Sequence, residues 1–234
     1  MTLGIMQPYF LPYIGYWQLL AMVDRFVVYD NIQYTKQGWI NRNRFLRDGT
    51  DAYFTVPLKK ASDYLNVAER ELAADFDRDK LLRSLAGSYR RAPHFDTVFP
   101  VIERIVQAPM MNLFEYLQNS LTEMAALLEI RTPMVVSSTI DLDHTLHAEE
   151  KVLAVCRAMG ADRYLNAIGG QALYSRATFA AHAVRLEFLR TRPIEYSQGS
   201  GAFVANLSIV DVLMFNSLAT VRTMLSEADV IPAV

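Results

Sequence analysis

Charged, aromatic and amide side chains concentrate between positions 24 and 47 of this sequence. Positions 1–23 carry no charged residue, and the densest later stretch is Trp39-Ile40-Asn41-Arg42-Asn43-Arg44. Guanidinium groups and amides bind pairs of ligand oxygens, while aromatic rings stack on flat or CH-rich faces. Because a buried strand or helix has no use for this mixture, the segment is predicted to bind a polar ligand in a small enzyme.

The side chains of this segment predict three kinds of contact with a ligand. Anionic groups of the ligand would be held by the cations Lys36, Arg42 and Arg44. Sugar hydroxyls or an amide would be bound by Asn41 and Asn43. One ring, Tyr34 or Trp39, would stack on the ligand. The alternative is a solvated surface hairpin in which the asparagines only form turns. The density of rings and charges favours the ligand-binding interpretation.

The segment Tyr13-Ile14-Gly15-Tyr16 follows the first predicted strand. Nucleotidylyltransferases and class I aminoacyl-tRNA synthetases carry a His-x-Gly-His signature at a similar place, where two imidazoles stabilise phosphate charge during adenylyl transfer. Both imidazoles are phenols here, and phenols are neutral at pH 7 because their pKa lies at about 10. The placement indicates a related nucleotide-binding scaffold, but the phenols argue against adenylyl transfer by that route. Alternatively, both tyrosines are half-buried helix residues.

Two further motifs are less specific. Gly169-Gly170 follows Asn166 and opens a predicted helix, so backbone amides there are able to approach an anion, although a glycine pair also forms ordinary tight turns. His144-x-x-His147 has metal-like spacing, but the same residues suit the start of a helix. We therefore predict no metal site, and the sequence predicts no particular cofactor.

Composition sets the broad class of protein. The 234 residues, of which 52% are hydrophobic, suffice for one large domain with a sizeable core. A net charge of −2 argues against a general nucleic-acid binder. The single cysteine, Cys156, fits a reducing compartment and lies on the apolar face of a predicted helix, so it is expected in the core. The uncharged opening lacks a positive n-region and contains Pro8 and Pro12, which argues against a signal peptide or membrane insertion and for a cytoplasmic protein.

Alternation of apolar segments predicts an α/β protein with a Rossmann-like parallel sheet flanked by helices. Strands are predicted at 3–6, 26–29, 52–56, 133–137, 163–165 and 184–188, and helices at 13–23, 75–91, 98–106, 113–128, 148–159, from about 171, and 207–218. The chain is expected to form a single domain, 1–234, with a mid-chain helical block inserted at about 75–130. The polar connection 30–48 would lie at the carboxyl edge of the sheet, where such folds bind ligands.

The motifs together resemble the WbqC-like protein family. The resemblance rests on MQPYFLPYIGY at 6–16, YDNIQYTK at 29–36 and GWINRN at 38–43, with further matches at 56–59, 88–93, 137–138, 169–174 and 207–211. Such proteins are associated with bacterial O-antigen and related surface-polysaccharide pathways. The resemblance implies a transferase that acylates, for example with glycine, the amino group of an amino sugar.

Our first hypothesis follows this implication. The acceptor would be a nucleotide-linked amino sugar, and the donor an activated amino acid or acyl group, which includes aminoacyl-tRNA. Asp30 would act as the base and Asn41, Arg42 and Asn43 would hold the developing oxyanion. The predicted substrate-binding residues are Gln7, Tyr9, Tyr13, Tyr16, Gln33, Tyr34, Lys36, Trp39, Arg44, Lys59, Asn166, Gly169 and Gly170.

Two other functions remain open from the sequence. One is an ATP-dependent nucleotidylyltransferase or ligase, which would bind ATP and release pyrophosphate. The other is a non-catalytic sugar-nucleotide-binding protein, in which Asp30→Asn would have no effect on activity. The apolar segment 207–224 either completes the core or packs a homodimer seam.

The sequence predicts different effects for two substitutions in the 33–44 segment. Arg42→Ala should weaken ligand binding by roughly 1.5–3 kcal/mol with little loss of fold stability, because hydrogen bonds to charged groups contribute this much. Trp39→Ala should cost about 3–5 kcal/mol of stability if the ring is fully buried. Calorimetric binding and thermal unfolding of both variants measure these effects. A large loss of stability with unchanged binding for Arg42→Ala would show that the arginine is structural.

Overall fold

Strand β1, Thr2–Met6, is the central strand of the main sheet in the computed structural model, which describes residues 1–199 and 201–233. The other strands are β2 Arg25–Val28, β3 Arg42–Arg47, β4 Thr50–Thr55, β5 Met134–Val136, β6 Arg163–Ala167, β7 Arg185–Thr191 and β8 Ala228–Pro232. The α-helices are α1 Ile14–Ala21, α2 Arg78–Tyr89, α3 Phe95–Gln107, α4 Leu113–Leu127, α5 Ala148–Met159, α6 Arg176–Ala181, α7 Ile209–Phe215 and α8 Leu218–Met224, with 3₁₀ helices at Val67–Glu69, Ser137–Thr139 and Ile168–Leu173.

The six-stranded sheet has the order β5-β2-β1-β6-β7-β8. Its first five strands are parallel and β8 runs antiparallel to β7. Taken by position among the strands of this sheet alone, the order is 3-2-1-4-5-6, which is that of the Rossmann fold. The predicted α/β class with a Rossmann-like sheet is therefore confirmed.

The strand order reverses between β1 and β6. From β1 the chain passes through α1 to β2 on one side, and it returns later to place β6 on the other side, with Leu3 opposite both Arg25 and Tyr164. At such a reversal the loops after the two strands diverge, and a crevice opens at their carboxyl ends. This topology decides where a pocket opens between the two loops.

One large hydrophobic cluster joins helix α1 to the mid-chain helices α2, α3 and α4. It contains Trp17 of α1, Leu85 of α2, Ile102 of α3 and Leu117 of α4, all fully buried. Burial of apolar surface on this scale is the main favourable contribution to folding. The mid-chain block predicted at 75–130 is thus present as α2 to α4, packed on the face of the sheet that carries α1.

The structure corrects several predicted elements. The connection 30–48 contains β3, which pairs with β4 in a separate hairpin closed by Asp48-Gly49, both with positive φ. This is the Asp-Gly turn that hairpins favour. The helix expected from about 171 is a 3₁₀ helix, and α6 begins only at Arg176. The helix predicted at 207–218 ends at Phe215, and α8 follows; β8 was not predicted.

The C-terminal helices pack into the core of the protein. Ile209, Val210 and Leu213 of α7 are fully buried within the large cluster.

None of the helices in residues 1–199 and 201–233 combines the length and apolar character needed to cross a membrane.

A buried carboxylate joins α7 to two other parts of the fold. Asp211 accepts hydrogen bonds from the Tyr89 hydroxyl at 2.8 Å, the Tyr196 hydroxyl at 2.7 Å and Gln198 Nε2 at 2.6 Å. The Tyr89 hydroxyl also accepts from the backbone N–H of Leu46 in β3, at 2.9 Å. Burial raises the pKa of the Asp211 carboxyl, although its three donors oppose this effect.

Asp211→Ala should therefore destabilise the protein strongly. The change removes the acceptor of the buried Tyr89 hydroxyl, of the half-buried Tyr196 hydroxyl and of one N–H of Gln198, whose Nε2 keeps the Val204 carbonyl. A buried donor left without its acceptor costs roughly 1–3 kcal/mol. We expect a loss of about 3 kcal/mol or more in urea unfolding. Asp75→Ala is the control, because Asp75 is exposed and its carboxylate has no hydrogen bond among the described residues. Equal stability of the two variants would contradict the network.

Candidate functional site

A cavity of about 450 Å³ lies at the carboxyl ends of β1 and β6, where the strand order reverses. We call it the switch-point pocket. It brings together many of the predicted substrate-binding residues, namely Gln7, Tyr9, Tyr13, Tyr16, Trp39, Asn166, Gly169 and Gly170. Its lining includes no charged side chain in the part of the chain that the structure describes. The pocket is therefore uncharged and largely apolar, with phenols and amides as its hydrogen-bonding groups.

The turn after β1 forms one wall of the switch-point pocket. The buried Tyr16 hydroxyl donates to the Gln7 carbonyl at 3.1 Å, and the Tyr9 hydroxyl donates to Gln7 Oε1 at 3.3 Å. The Tyr9 and Tyr16 rings lie 5.7 Å apart. Burial raises the pKa of Tyr9, Tyr13 and Tyr16, so all three are neutral at physiological pH. They offer hydrogen bonds and ring faces, and no positive charge for phosphate.

The loop after β6 forms the opposite wall. Asn166 is 6% exposed, and its Oδ1 accepts from the backbone N–H of Ala167 at 2.8 Å. Its Nδ2 donates to no group within residues 1–199 and 201–233. A Cβ atom on Gly170 would lie 2.4 Å from this Nδ2. Gly170 thus leaves room for a buried amide that keeps a free donor at the pocket.

Three tyrosines of the pocket were absent from the predicted site. Tyr29 follows β2, Tyr164 lies in β6, and Tyr174 follows the glycine pair. The Tyr164 and Tyr174 rings meet edge to face at 5.6 Å, and burial raises the pKa of all three residues. Tyr164 reads as an ordinary core residue in sequence. Tyr29, at the end of a predicted strand beside the polar segment, and Tyr174, inside the family match at 169–174, carried signals that could have identified them.

A second cavity, of about 390 Å³, adjoins the switch-point pocket and shares Tyr9, Tyr13 and Trp39 with it. Arg44 also lines it, and the guanidinium carbon of Arg44 lies 5.8 Å from the centre of the Trp39 ring. Arg44 pairs with Asp51 at 3.2 Å. A cation is therefore held next to the neutral pocket.

The expected burial of Trp39 is wrong. The residue is 40% exposed, and its ring stacks on Tyr53 at 6.2 Å. The large stability loss predicted for Trp39→Ala depended on full burial and does not apply to this geometry. The ring instead presents a face to both cavities.

The predicted catalytic residues make structural hydrogen bonds. Asp30 is 3% exposed and its carboxylate accepts from the backbone N–H of Ser138 at 2.9 Å. Asn41 accepts from the Tyr34 hydroxyl and donates to the Val56 carbonyl, both at 2.8 Å.

The other two predicted catalytic residues are held in the same way. Asn43 donates to the Leu11 carbonyl at 2.9 Å, while Arg42 donates to the carbonyls of Gln37 and Gly38. These contacts position the 30–44 segment. A part for Asp30, Asn41, Arg42 or Asn43 in catalysis stays a prediction.

The remaining predicted residues lie away from the switch-point pocket. Tyr34, Lys36, Asn41 and Lys59 line a wide cavity of about 720 Å³ together with Lys60, Asp63 and Arg70. We call it the cationic pocket. Gln33 is exposed and donates to the Asp63 carbonyl at 2.9 Å. The structure therefore divides the predicted site between a neutral pocket and a cationic one.

The histidine motif and the cysteine are held by the fold. One tautomer of His144 accepts from Asn31 Nδ2 at 2.9 Å and donates to the Ile140 carbonyl at 3.0 Å. In the described ranges, no three His, Cys, Asp or Glu side chains come close enough to hold a metal ion.

Cys156 is fully buried, as predicted, and burial raises the pKa of its thiol to about 12.

Comparison with known proteins gives one family and one distant relative. The sequence profile described as the WbqC-like protein family matches residues 7–223. A protein of Mycobacterium tuberculosis strain H37Rv, named uncharacterized protein Rv1507c, is 26% identical over 216 residues, which cover 91% of this chain and 92% of the relative. No solved structure matches this chain. The matched range includes both walls of the switch-point pocket.

The two glycines of the pocket wall should respond differently to alanine. Gly170→Ala places a methyl group against Asn166 Nδ2, and such overpacking typically costs about 1–3 kcal/mol. Gly169→Ala meets no atom within 4 Å and should leave stability unchanged or raise it slightly. Urea unfolding of the matched pair measures the difference. Equal stabilities would show that Asn166 is not fixed where the structure places it.

Proposed function

This chain belongs to the WbqC-like protein family, and from that membership we propose that it is an enzyme that acylates the amino group of a nucleotide-linked amino sugar. The transferred group is an acyl or aminoacyl group such as glycyl, and the product enters surface-polysaccharide (O-antigen) biosynthesis. The single buried cysteine fits a reducing compartment, so the proposal places the reaction in the cytoplasm.

The observation that carries the proposal is the neutral lining of the switch-point pocket. A sugar presents hydroxyls and CH-rich faces, which suit phenols, amides and aromatic rings. The pocket supplies these from Tyr9, Tyr13, Tyr174 and Asn166, and its volume of about 450 Å³ suits one sugar. Asn166 would orient the acceptor, because its Nδ2 has a free donor at the pocket in the described structure.

The same lining favours the reactive form of the acceptor. Removal from water disfavours an ammonium ion, and the described pocket lining has no carboxylate that would restore it. The neutral amine is the nucleophile. Its nitrogen bonds to the acyl carbonyl carbon, the leaving group of the donor departs, and the proton lost by nitrogen passes to the leaving group or to water. Holding amine and carbonyl together supplies much of the rate enhancement.

In this proposal the predicted catalytic residues contribute by holding the loop over the pocket in place. Asp30, Asn41, Asn43 and Arg42 fix the segment that carries Trp39 over the pocket. Trp39 presents a ring face and Arg44 presents a charge at the neighbouring cavity. An acyl donor with an anionic part would enter from that side and compete with Asp51 for the Arg44 guanidinium.

The direct test is an acylation assay with purified protein. Nucleotide-linked amino sugars are incubated with aminoacyl-tRNA, acyl-CoA, or ATP with an amino acid, and products are followed by mass spectrometry. We expect one donor to add an acyl mass and remove the free amine. An N-acetylated sugar nucleotide serves as the unreactive control. No product with any donor would refute the transferase proposal, and binding without turnover would favour a non-catalytic sugar-nucleotide-binding protein.

Asn166→Asp should lower kcat/KM for the acceptor, whereas a nearby exposed substitution should not. Asp keeps an acceptor for the Ala167 N–H but removes both donor hydrogens of Nδ2. The lost hydrogen bond costs about 0.5–1.5 kcal/mol, and the new carboxylate also stabilises the unreactive ammonium form of the acceptor, so kcat/KM for the acceptor should fall at least about 2- to 10-fold. Gln171→Ala, an exposed change on the 3₁₀ helix that follows β6, should leave kcat/KM unchanged. An unchanged kcat/KM for Asn166→Asp would remove this residue from the acceptor site.

A further inference from the structure

The cationic pocket contains a charge that the fold does not neutralise. Arg70 is 4% exposed, yet no carboxylate lies within 4 Å of its guanidinium in the described chain. Nη1 donates to the Ser62 carbonyl at 3.2 Å, and Nε is buried without a partner. A buried, unpaired charge is costly unless something compensates it. Nη2 makes no hydrogen bond among the described residues, so the guanidinium has unused donor capacity at the wall of a large cavity.

The position of Arg70 is fixed from several sides. Its backbone N–H donates to the Val67 carbonyl at 3.2 Å, and its carbonyl accepts from the Leu113 N–H at 2.9 Å. The guanidinium carbon lies 4.4 Å from the centre of the Tyr34 ring, whose hydroxyl is held by Asn41. A donor fork held in this way is arranged for a ligand before the ligand arrives.

The surrounding charges point to an anion. Lys36 pairs with Asp63 at 2.8 Å and Lys59 pairs with Glu71 at 2.5 Å. Lys60 is exposed and, like Arg70, has no ion pair within residues 1–199 and 201–233. The lining thus carries four cations and one carboxylate, in a protein whose net charge is −2.

We propose that the cationic pocket binds a phosphate-class oxyanion, with Arg70 as its fixed donor and Lys60 as a mobile second contact. A guanidinium fork matches two oxygens of a phosphate, and a lysine adds a flexible point charge. A diphosphate ligand has two charged groups and is therefore able to contact two separate cations, whereas a ligand with a single carboxylate is not. This site goes beyond the proposed acyl transfer, since the cationic and switch-point pockets share no lining residue in the described structure.

The experiment titrates the full chain with pyrophosphate, orthophosphate and a nucleoside diphosphate at constant ionic strength. Calorimetry and the rise in Tm report binding, because a ligand of the native state raises stability according to its concentration relative to Kd. We expect pyrophosphate to bind. Tighter binding of the nucleoside diphosphate than of pyrophosphate would identify a nucleotide as the source of the phosphates, and equal binding would identify the free anion.

Two variants test the assignment to residues. Arg70→Gln should raise Kd for pyrophosphate at least about tenfold, since a charged hydrogen-bonding group is lost. Lys60→Gln changes an exposed side chain, so it should raise Kd about two- to fivefold and keeps the test valid if Arg70→Gln does not fold. Lys80→Gln is the matched control, because Lys80 is exposed and lies outside the pocket.

The results separate this site from the proposed acyl transfer. Pyrophosphate binding that survives Asn166→Asp and weakens in Lys60→Gln supports the cationic pocket, whatever the acylation assay gives. Absence of heat and of any Tm shift overturns the proposal. So does an equal effect of Lys60→Gln and Lys80→Gln, which would mean nonspecific attraction, or loss of binding in Asn166→Asp, which would place the anion in the switch-point pocket.

Discussion

The pairing of β1 with β2 on one side and β6 on the other is the constraint on which the rest of this structure depends. It buries β1 at the centre of the sheet and forces the loops after β1 and β6 to leave in different directions. The space between those loops is the switch-point pocket. Its two walls come from parts of the chain about 160 residues apart, Gln7 and Asn166 among them, and backbone pairing alone brings them together.

Buried amides and carboxylates hold the segment that follows β2. Asn43 bonds the Leu11 carbonyl, Asn41 joins Tyr34 to Val56, and Asp30 accepts from Ser138. Because each partner belongs to a different element, the segment is tied at once to the first loop, the β3–β4 hairpin and the end of β5. A polar group left unsatisfied in such a place is costly, so these side chains specify the path of the loop. Trp39 and Arg44 reach the rim of the pocket because that path is fixed.

The structure separates an uncharged pocket from a cationic one. Phenols and amides line the switch-point pocket, whereas Arg70 and the lysines line a cavity formed by residues of 34–41 and 55–70. The separation is chemically reasonable, because an acceptor amine needs surroundings that do not stabilise its charged form, while an oxyanion needs cations. The phenols at Tyr13 and Tyr16 belong to the neutral side, which agrees with the sequence argument against phosphate stabilisation at that turn.

The sequence by itself determined the α/β class, the first strand–helix–strand unit and most helices, because those segments carry apolar patterns or caps that are local. It also identified many residues of the switch-point pocket through their unusual types. It did not reveal β3, whose buried Asn43 interrupts the apolar alternation expected of a strand, or the edge strand β8, which pairs only with β7. The exposure of Trp39, the inclusion of Tyr164 and the burial of Arg70 were decided by the tertiary structure. Each depends on partners distant in sequence, and no local pattern of residues encodes which distant groups will share a cavity.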